Sequence, residues 1–372
     1  MHRPVRHSSL RIALHSVVYM AAMGMLFPSL AIVYLHNCSN RATHSVPDYV
    51  APTLQWITEP YECRSDGNLD FCVKDGCNLR WKPPGTHHCS TCGTCRIGFD
   101  HHCPWVSEAQ QPSLSCVDAM SCKLGNCVTT GRLKAFLALL VLTSVTVPLA
   151  SLPVLPILKR HITAALAASH ADAWATNIWW SRPYSWILCG GPPGRWAIGT
   201  LLGFRTLRER RIPEASWLSG SLVVQPHARM VILVGIGILF WLFAISMTVV
   251  VAVNVTKGQR TMDTVLIRLP RPGRTAASTS RFICIPYSHP PASLAYTSAV
   301  RSAPAVPENC PEPHGTQRIY PIPISHRIYD HGWRENWRGL LAQPLFNHGT
   351  PYQGVYKWPK MNPEVIRRLL GS

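Results

Sequence analysis

Three stretches of this chain contain no Asp, Glu, Lys or Arg: Ile12 to Leu35, Ala135 to Leu158 and Met230 to Val255, each at least 24 residues long. Roughly 20 apolar residues suffice to cross a bilayer as a helix. A soluble helix of that length keeps one face polar for water, and the run from Val231 to Ile245 shows no such face. The pattern therefore predicts three membrane-spanning helices. Pro28 in the first window and Pro148, Pro153 and Pro156 in the second are compatible with that, because a packed membrane helix re-satisfies the backbone groups that proline frees. Arg3, Arg6 and Arg11 precede the first window as they would a secretory signal. Its apolar run is longer than a signal core and no small-residue cleavage site follows Leu35, so it reads as an uncleaved membrane segment.

The polar stretches between the windows complete a linear plan. Residues 1–35 are a basic lead and first membrane segment, 36–71 a polar linker, 72–134 a cysteine-rich module and 135–158 a second membrane segment. Residues 159–227 read as a loop rich in tryptophan (Trp174, Trp179, Trp180, Trp186, Trp196), a residue that suits a membrane interface; a small folded loop with buried tryptophans is the alternative. A third membrane segment, 228–256, precedes a tail, 257–372. Fifteen prolines among the tail's 116 residues break up any long helix. The tail is expected to be irregular and partly disordered, apart from a denser patch at Trp333-Arg-Glu-Asn-Trp337.

The net charge of +18 changes little in this picture. The positives flank the membrane windows, at Arg205 to Arg211 and at Lys257, Arg260, Arg268, Arg271 and Arg274. That is the placement favoured on cytoplasmic membrane faces and by anionic lipid. With no basic helix or stacking platform beside them, they give no reason to expect nucleic-acid binding. Gly190-Gly-Pro-Pro-Gly194 lacks the Lys-Ser/Thr of a phosphate loop and reads as a turn. Asn37-Cys-Ser39 and Asn254-Val-Thr256 match the glycosylation tripeptide, which arises often by chance, and Asn254 lies too close to a membrane window to be a good acceptor.

The chemistry is concentrated in the module. Nine of the 14 cysteines fall between Cys72 and Cys127, with histidines interleaved at His88, His101 and His102. Tight Cys-x2-Cys spacing with imidazoles is metal-ligand geometry in a reducing compartment, so the module is expected to face the cytosol. Zinc takes four thiolate or imidazole ligands in a closed structural site. Two interleaved sets satisfy the list: Cys72, Cys77, His88 and Cys95 for one zinc ion, and Cys89, Cys92, His102 and Cys127 for the other. Cys103, His101 and Asp100 are left over. A thiol beside an imidazole oriented by a carboxylate is an arrangement that activates sulfur for covalent catalysis. The alternative is that Cys103 is a further ligand and His101 a surface residue.

Cys72, Cys77, Lys82-Pro83, His88-Cys89, Cys92, Cys95, Asp100-His-His-Cys-Pro-Trp105 and Gly125-Asn-Cys127 resemble the cysteine-rich domain of the DHHC-type protein S-acyltransferases, over roughly residues 71–137. The resemblance implies a predominantly α-helical integral membrane protein with four spans, of which three are visible, and a small cytosolic two-zinc module. It implies palmitoyl transfer from palmitoyl-CoA, through an acyl-Cys103 intermediate, to cysteines of membrane-associated protein substrates. His101 would act as base and Asp100 would orient it. The two zinc sets would be structural, and the setting a multi-pass endomembrane, the ER or Golgi.

The chain also departs from the family pattern. Four residues separate Cys72 from Cys77 and ten separate Cys77 from His88, where the family has two and nine. About 18 residues, Ser107 to Leu124, intervene between Val106 and Gly125-Asn-Cys127, and carry the extra Cys116 and Cys122. An insert there makes a catalytically impaired, membrane-tethered zinc scaffold the alternative reading. One window, not two, precedes the module, and the Asp-Pro-Gly usual after the second helix is missing. The Thr-Thr-x-Glu motif after the last helix is represented only by Arg260-Thr-Met-Asp263, with Thr261 and Asp263 as stand-ins, and Asn336-Trp337 corresponds to a C-terminal Asn–aromatic contact.

Overall fold

The structure, a computed structural model, describes residues 4–38, 51–54, 57–74, 77, 79–106, 126–187, 191–209, 228–268, 280–286, 317–346, 356 and 358–371. The insert 107–124, Gly190 and the segment 210–227 lie outside these residues; of the run read as a turn, Pro192, Pro193 and Gly194 open a helix that ends at Glu209. The chain divides into two compact units, residues 1–31 with 139–248, and residues 32–138 with 249–372.

Among the described residues three helices are long and apolar enough to cross a membrane: α1 (Pro4–Cys38), α2 (Leu133–Ser151) and a later helix, α5 (Ala228–Thr256). In the first unit α1 and α2 touch where the Tyr19 hydroxyl donates to the Ala150 carbonyl (3.4 Å), and α2 and α5 where the Trp241 indole N–H donates to the Ser144 carbonyl (2.9 Å). The second span stops short of its window. Pro153 supplies no N–H, so the helix ends at Ser151 and a new one, α3 (Leu155–Ala171), opens with Pro156 in its first turn.

The stretch expected as a tryptophan-rich loop is largely helical. α3 packs against α4 (Pro192–Glu209). Their closeness explains Gly203: a Cβ there would lie 1.8 Å from the Ala165 carbonyl oxygen. The tryptophans brace the pair, the indole N–H of Trp180 donating to Ser169 Oγ (2.9 Å) and that of Trp179 to the Arg195 carbonyl (3.0 Å). The small residues that allow this packing gave no long apolar stripe, which is why the period was missed.

The second unit holds the cysteine-rich module and a three-stranded antiparallel sheet ordered β1 (Tyr61–Cys63), β6 (Ser280–Pro286), β7 (Gln317–Pro323). The tail is thus more regular than its prolines suggested. Neighbouring residues of a strand face opposite ways, and β6 uses both faces. Cys284 joins Tyr61, Ile57, Leu69 and Trp81 on one side, while Ile283 and Ile285 join Ile322 and Ile328 on the other. The prolines Pro321 and Pro323 fall on β7, an edge strand, where a missing N–H costs no ladder bond. Helices α6 (Thr261–Arg268), α7 (Trp333–Ala342) and α8 (Pro363–Leu369) complete the unit, and Val365, Ile366 and Leu369 of α8 cover the second face of the sheet.

Candidate active site and metal centres

Two short hairpins build the module: β2 (His87–Cys89) with β3 (Thr94–Arg96), and β4 (Phe99–Cys103) with β5 (Asn126–Thr129). Strand alternation distributes the ligands. His88 and Cys89 are adjacent in β2, so their side chains leave on opposite faces. His88 lies across from Cys95, and His102 of β4 lies across from Cys127 of β5. The result is two separate donor sets, Cys72, Cys77, His88 and Cys95 in one, and Cys89, Cys92, His102 and Cys127 in the other, with ligand atoms within 4.8 Å of one another in each. These are the two sets drawn from the spacing.

Their dimensions fit a tetrahedral ion. Zinc–sulfur bonds of about 2.3 Å and zinc–nitrogen bonds of about 2.0 Å imply S···S edges near 3.8 Å and S···N edges near 3.5 Å. The sulfurs of Cys77 and Cys95 are 3.7 Å apart and those of Cys92 and Cys127 3.5 Å. His88 Nδ1 sits 3.6 and 3.3 Å from the sulfurs of Cys72 and Cys77, and His102 Nδ1 sits 3.5 Å from those of Cys89 and Cys92. Within the second set the sulfurs compete for charge. The S–H of Cys127 draws the Cys89 thiol down to about 4, and the same contact pushes the Cys127 thiol up. A divalent cation is what allows all the thiols of such a set to ionise together.

The three residues outside the metal sets come together at the end of β4. A register shift between Phe99 and His101 breaks strict alternation and turns the Asp100 carboxylate onto its neighbour's ring, Oδ2 lying 2.8 Å from His101 Nδ1. Asp100 is almost fully buried, 2 % exposed, and yet fully hydrogen-bonded. The Thr261 N–H donates to Oδ1 (2.9 Å) and the Thr261 hydroxyl to Oδ2 (2.8 Å). Burial works against its charge, but the hydrogen bonds from His101 and Thr261 outweigh it and hold the carboxyl below its ordinary range. His101 follows the same balance. Burial favours the neutral ring, while Asp100 and the Cys103 thiol favour the charged one and prevail, pushing it up to about 9.

His101 and Cys103, two apart in β4, share a face of the strand. With Nδ1 committed to Asp100, Nε2 is the nitrogen left for chemistry. It is buried without a conventional hydrogen-bond partner, and the Cys103 thiol is the group acting on the ring from that side. The Phe136 ring meets His101 edge-on at 5.2 Å and fixes its plane. Phe136 was invisible in the sequence, where it is one apolar residue among many.

Thr261 was legible as a stand-in; the structure places it on Asp100. Asn254 in turn donates from Nδ2 to Thr261 Oγ1 (3.2 Å), and Asn37, nearly buried, donates from Nδ2 to the Val33 and Ala135 carbonyls (2.8 and 3.2 Å). Both asparagines of the glycosylation tripeptides are therefore structural. Asn336 Nδ2 donates to the Thr256 carbonyl (3.3 Å) and the Trp337 indole N–H to Thr256 Oγ1 (3.1 Å), which ties α7 to the end of α5.

Replacement of His101 by alanine is expected to leave the zinc content and the fold in place and to slow loading of Cys103 by about 10²–10⁴-fold, the usual contribution of a general base. Zinc analysis beside a single-turnover acylation assay decides this; loss of metal from the variant would reverse the assignment of His101 and His102.

The register of β4 and β5 also bears on the insert. Cys103 pairs with Asn126, and 104–125 is the sequence that separates the two partners. Without 107–124 the loop would be Pro104, Trp105, Val106 and Gly125, a length at which hairpins close readily. Excision of Ser107 to Leu124 is expected to raise the acylation rate at matched zinc content, because a short loop restrains the segment after the nucleophile and removes Cys116 and Cys122 as competing ligands. Equal or lower activity would mark the insert as an accommodated part of the site.

Residues 66–109 match the family model described as DHHC palmitoyltransferase. The chain is 37% identical over 79 residues to palmitoyltransferase PFA3 of Kluyveromyces lactis, an alignment covering 21% of this chain and 21% of the relative. It is 34% identical over 93 residues to probable protein S-acyltransferase 13 of Arabidopsis thaliana (25% and 24% covered), and 31% identical over 104 residues to palmitoyltransferase PFA3 of Saccharomyces cerevisiae (27% and 28% covered). These matches span between 21% and 28% of the relatives' own length.

Proposed function

We propose that this chain, which carries a DHHC palmitoyltransferase domain, is a membrane-bound protein S-palmitoyltransferase that works through an acyl-Cys103 intermediate. The observation that carries the reading is the line Thr261–Asp100–His101–Cys103 around a buried carboxylate, in which Asp100 anchors one ring nitrogen and the Cys103 thiol, which belongs to neither metal set, acts on the same ring.

In the first half-reaction His101 Nε2 takes the Cys103 proton and the thiolate attacks the thioester carbonyl of palmitoyl-CoA. The carbon–sulfur bond to CoA breaks, and CoA leaves with the proton returned by His101. In the second, the thiol of a protein substrate gives its proton to His101 and attacks the acyl-Cys103 carbonyl; Cys103 departs and regains its proton. Asp100 stays ionised throughout, holding the ring and balancing its positive charge. Cys72, Cys77, His88 and Cys95, and Cys89, Cys92, His102 and Cys127, would hold zinc ions that supply structure alone, and a bound His102 would steady the strand carrying His101 and Cys103.

A cavity of about 380 Å³ in the same unit supports the CoA assignment. Lys82, His87, Arg260 and Arg281 line it beside Asp70, Glu62 and Asp263. Lys82 is paired with Asp70 and Arg281 with Asp263, while Arg64 and Arg260 are the further cations of the lining that an incoming phosphate would meet. Burial, then the nearby cations, push the His87 ring down to about 4, so it meets that phosphate as a neutral donor. Gly85, with φ +76°, admits the Arg260 guanidinium, which a Cβ would meet at 2.4 Å.

Embedding among membrane helices suits the acyl chain. Burying its methylenes at about 0.8 kcal/mol each amounts to on the order of 10 kcal/mol against leaving them in water. We place the module on the cytosolic face of an endomembrane such as the ER or Golgi; its unpaired cysteines suit a reducing compartment. The test is direct. Purified protein is incubated with alkynyl palmitoyl-CoA and a cysteine-containing acceptor, and the labelled peptide is identified by mass spectrometry. Hydroxylamine-labile label on Cys103 that chases to the acceptor supports the reading. A two-zinc protein that takes up none is the tethered scaffold instead.

A further inference from the structure

Arg281 lies on β6, 178 positions from Cys103 in the sequence, and touches neither the thiol nor its base. We propose that it is a positioning residue for the Asp100–His101 pair, acting through Asp263 and the first turn of α6. The inference rests on the acyl-transfer reading above and names what holds that site's carboxylate in register.

The contacts form one continuous line. The Arg281 guanidinium donates from Nη2 to Asp263 Oδ1 at 2.7 Å, and its Nη1 lies 3.7 Å from Glu62 Oε1 on β1. The other oxygen of Asp263, Oδ2, accepts the Arg260 backbone N–H at 3.3 Å. Arg260 immediately precedes α6 and Asp263 is its third residue. That is half of a capping box, in which a side chain in the first turn reaches back to the N–H ahead of the helix. The contact sets the direction in which the first turn presents its own N–H groups. The group it presents is Thr261, whose N–H and hydroxyl both go to Asp100.

Asp263 is therefore shared between the helix it caps and an arginine anchored in the sheet. Both partners are largely enclosed, Arg281 at 21% and Asp263 at 14% side-chain exposure. An ion pair so placed holds geometry better than a surface pair, because neither side chain is free to swing into water. β6 itself is fixed on both faces by the two apolar clusters. Its rigidity is thus passed to a carboxylate that orients the base. Productive proton transfer depends on placement to a fraction of an ångström, and a 1 Å error costs about 100-fold.

The variants are Arg281→Gln, Arg281→Lys and Asp263→Asn, each with two readouts besides zinc content. One is the rate of alkylation of Cys103 by iodoacetamide, followed on its own peptide, which reports thiolate reactivity without any acyl transfer. The other is autoacylation with palmitoyl-CoA, resolved into kcat and KM. Arg281→Gln is expected to slow both alkylation and kcat roughly 10- to 100-fold with both zinc ions retained, and Arg281→Lys to recover most of the loss. Asp263→Asn should show the same kcat defect although it makes the cavity more positive. In an Asp100→Ala background, Arg281→Gln should cost nothing further, since the two act on one path.

The proposal is overturned if Arg281→Gln and Asp263→Asn alkylate within about twofold of wild type. It is equally overturned if the Arg281 and Asp100 losses multiply, or if the Arg281→Gln defect lies in KM alone, which would make the residue a phosphate contact of the cavity. Should Arg281→Gln fail to fold, Asp263→Asn and Arg281→Lys carry the comparison. A wild-type protein that takes no palmitate while its variants still slow alkylation would remove the acyl-transfer reading and leave the positioning role standing.

Discussion

Protein in which Cys103 is replaced by serine is expected to carry no hydroxylamine-labile palmitate and to transfer none, a loss to the limit of detection. The reason lies in the pair as much as in the sulfur. Sulfur is the better nucleophile toward a thioester and an imidazole beside it can take its proton, whereas a serine hydroxyl in the same place gives up its proton far less readily and attacks far more slowly. Among the described residues His101 has no second nucleophile to activate: Asp100 occupies Nδ1, and the module's other described cysteines are gathered in the two metal sets. The variant should keep both zinc ions and its fold, since Cys103 belongs to neither set. Palmitate retained on Cys103→Ser protein, mapped to Cys63 or Cys284, would show that the acyl group enters elsewhere.

The second large effect is on folding. Native protein should hold two zinc ions per chain, and His88→Ala, His102→Ala or Cys95→Ser should each lose metal and accumulate as misfolded protein. Two core clusters of the module are built mainly of its ligands: Cys72, Cys77 and Cys95 form one by themselves, and Cys89 and Cys127 form another with Phe99. There is too little apolar side chain here to offset the entropy of ordering the chain. Structural zinc contributes about 10–16 kcal/mol in small peptides, so one lost ligand is decisive. Metal analysis with a protease-resistance assay checks this. A count of one zinc per native chain would refute the two-set arrangement. The contrast with His101→Ala, one residue from His102, is the most informative comparison, because alternation along β4 sends the two rings to different faces.

How much of this was legible depended on whether the signal was local. The three membrane windows could be read because a bilayer demands some 20 apolar residues in a row, whatever surrounds them. The metal sets could be read because chelation by near neighbours fixes residue type and spacing together, as at His88-Cys-x2-Cys92 and Cys95. Asp100, His101 and Cys103 stood out because they were what two tetrahedral sites left unused. In each case the physical requirement acts over a few residues, and so it is written in a few residues.

The rest was decided by contacts between distant segments. The tail read as irregular because proline count speaks only of what a segment does alone; Pro321 and Pro323 are harmless on an edge strand that exists only once β6 is beside it. The stretch 159–227 read as a loop because Gly203 and Ala165 look like weak helix residues until they are seen to permit close approach of α3 and α4. Phe136 and Arg281 carry no motif, and only pairing across more than 30 and about 180 residues, respectively, assigns them a place near His101 and Asp100. Thus the sequence by itself determined the apolar windows, the ligand types and the candidate nucleophile, since these obey short-range rules of length and spacing. The tertiary structure alone decided which carboxylate is buried, what holds it, and which ring nitrogen is left for the thiol, since burial and hydrogen-bond direction arise only when separate segments close on one another.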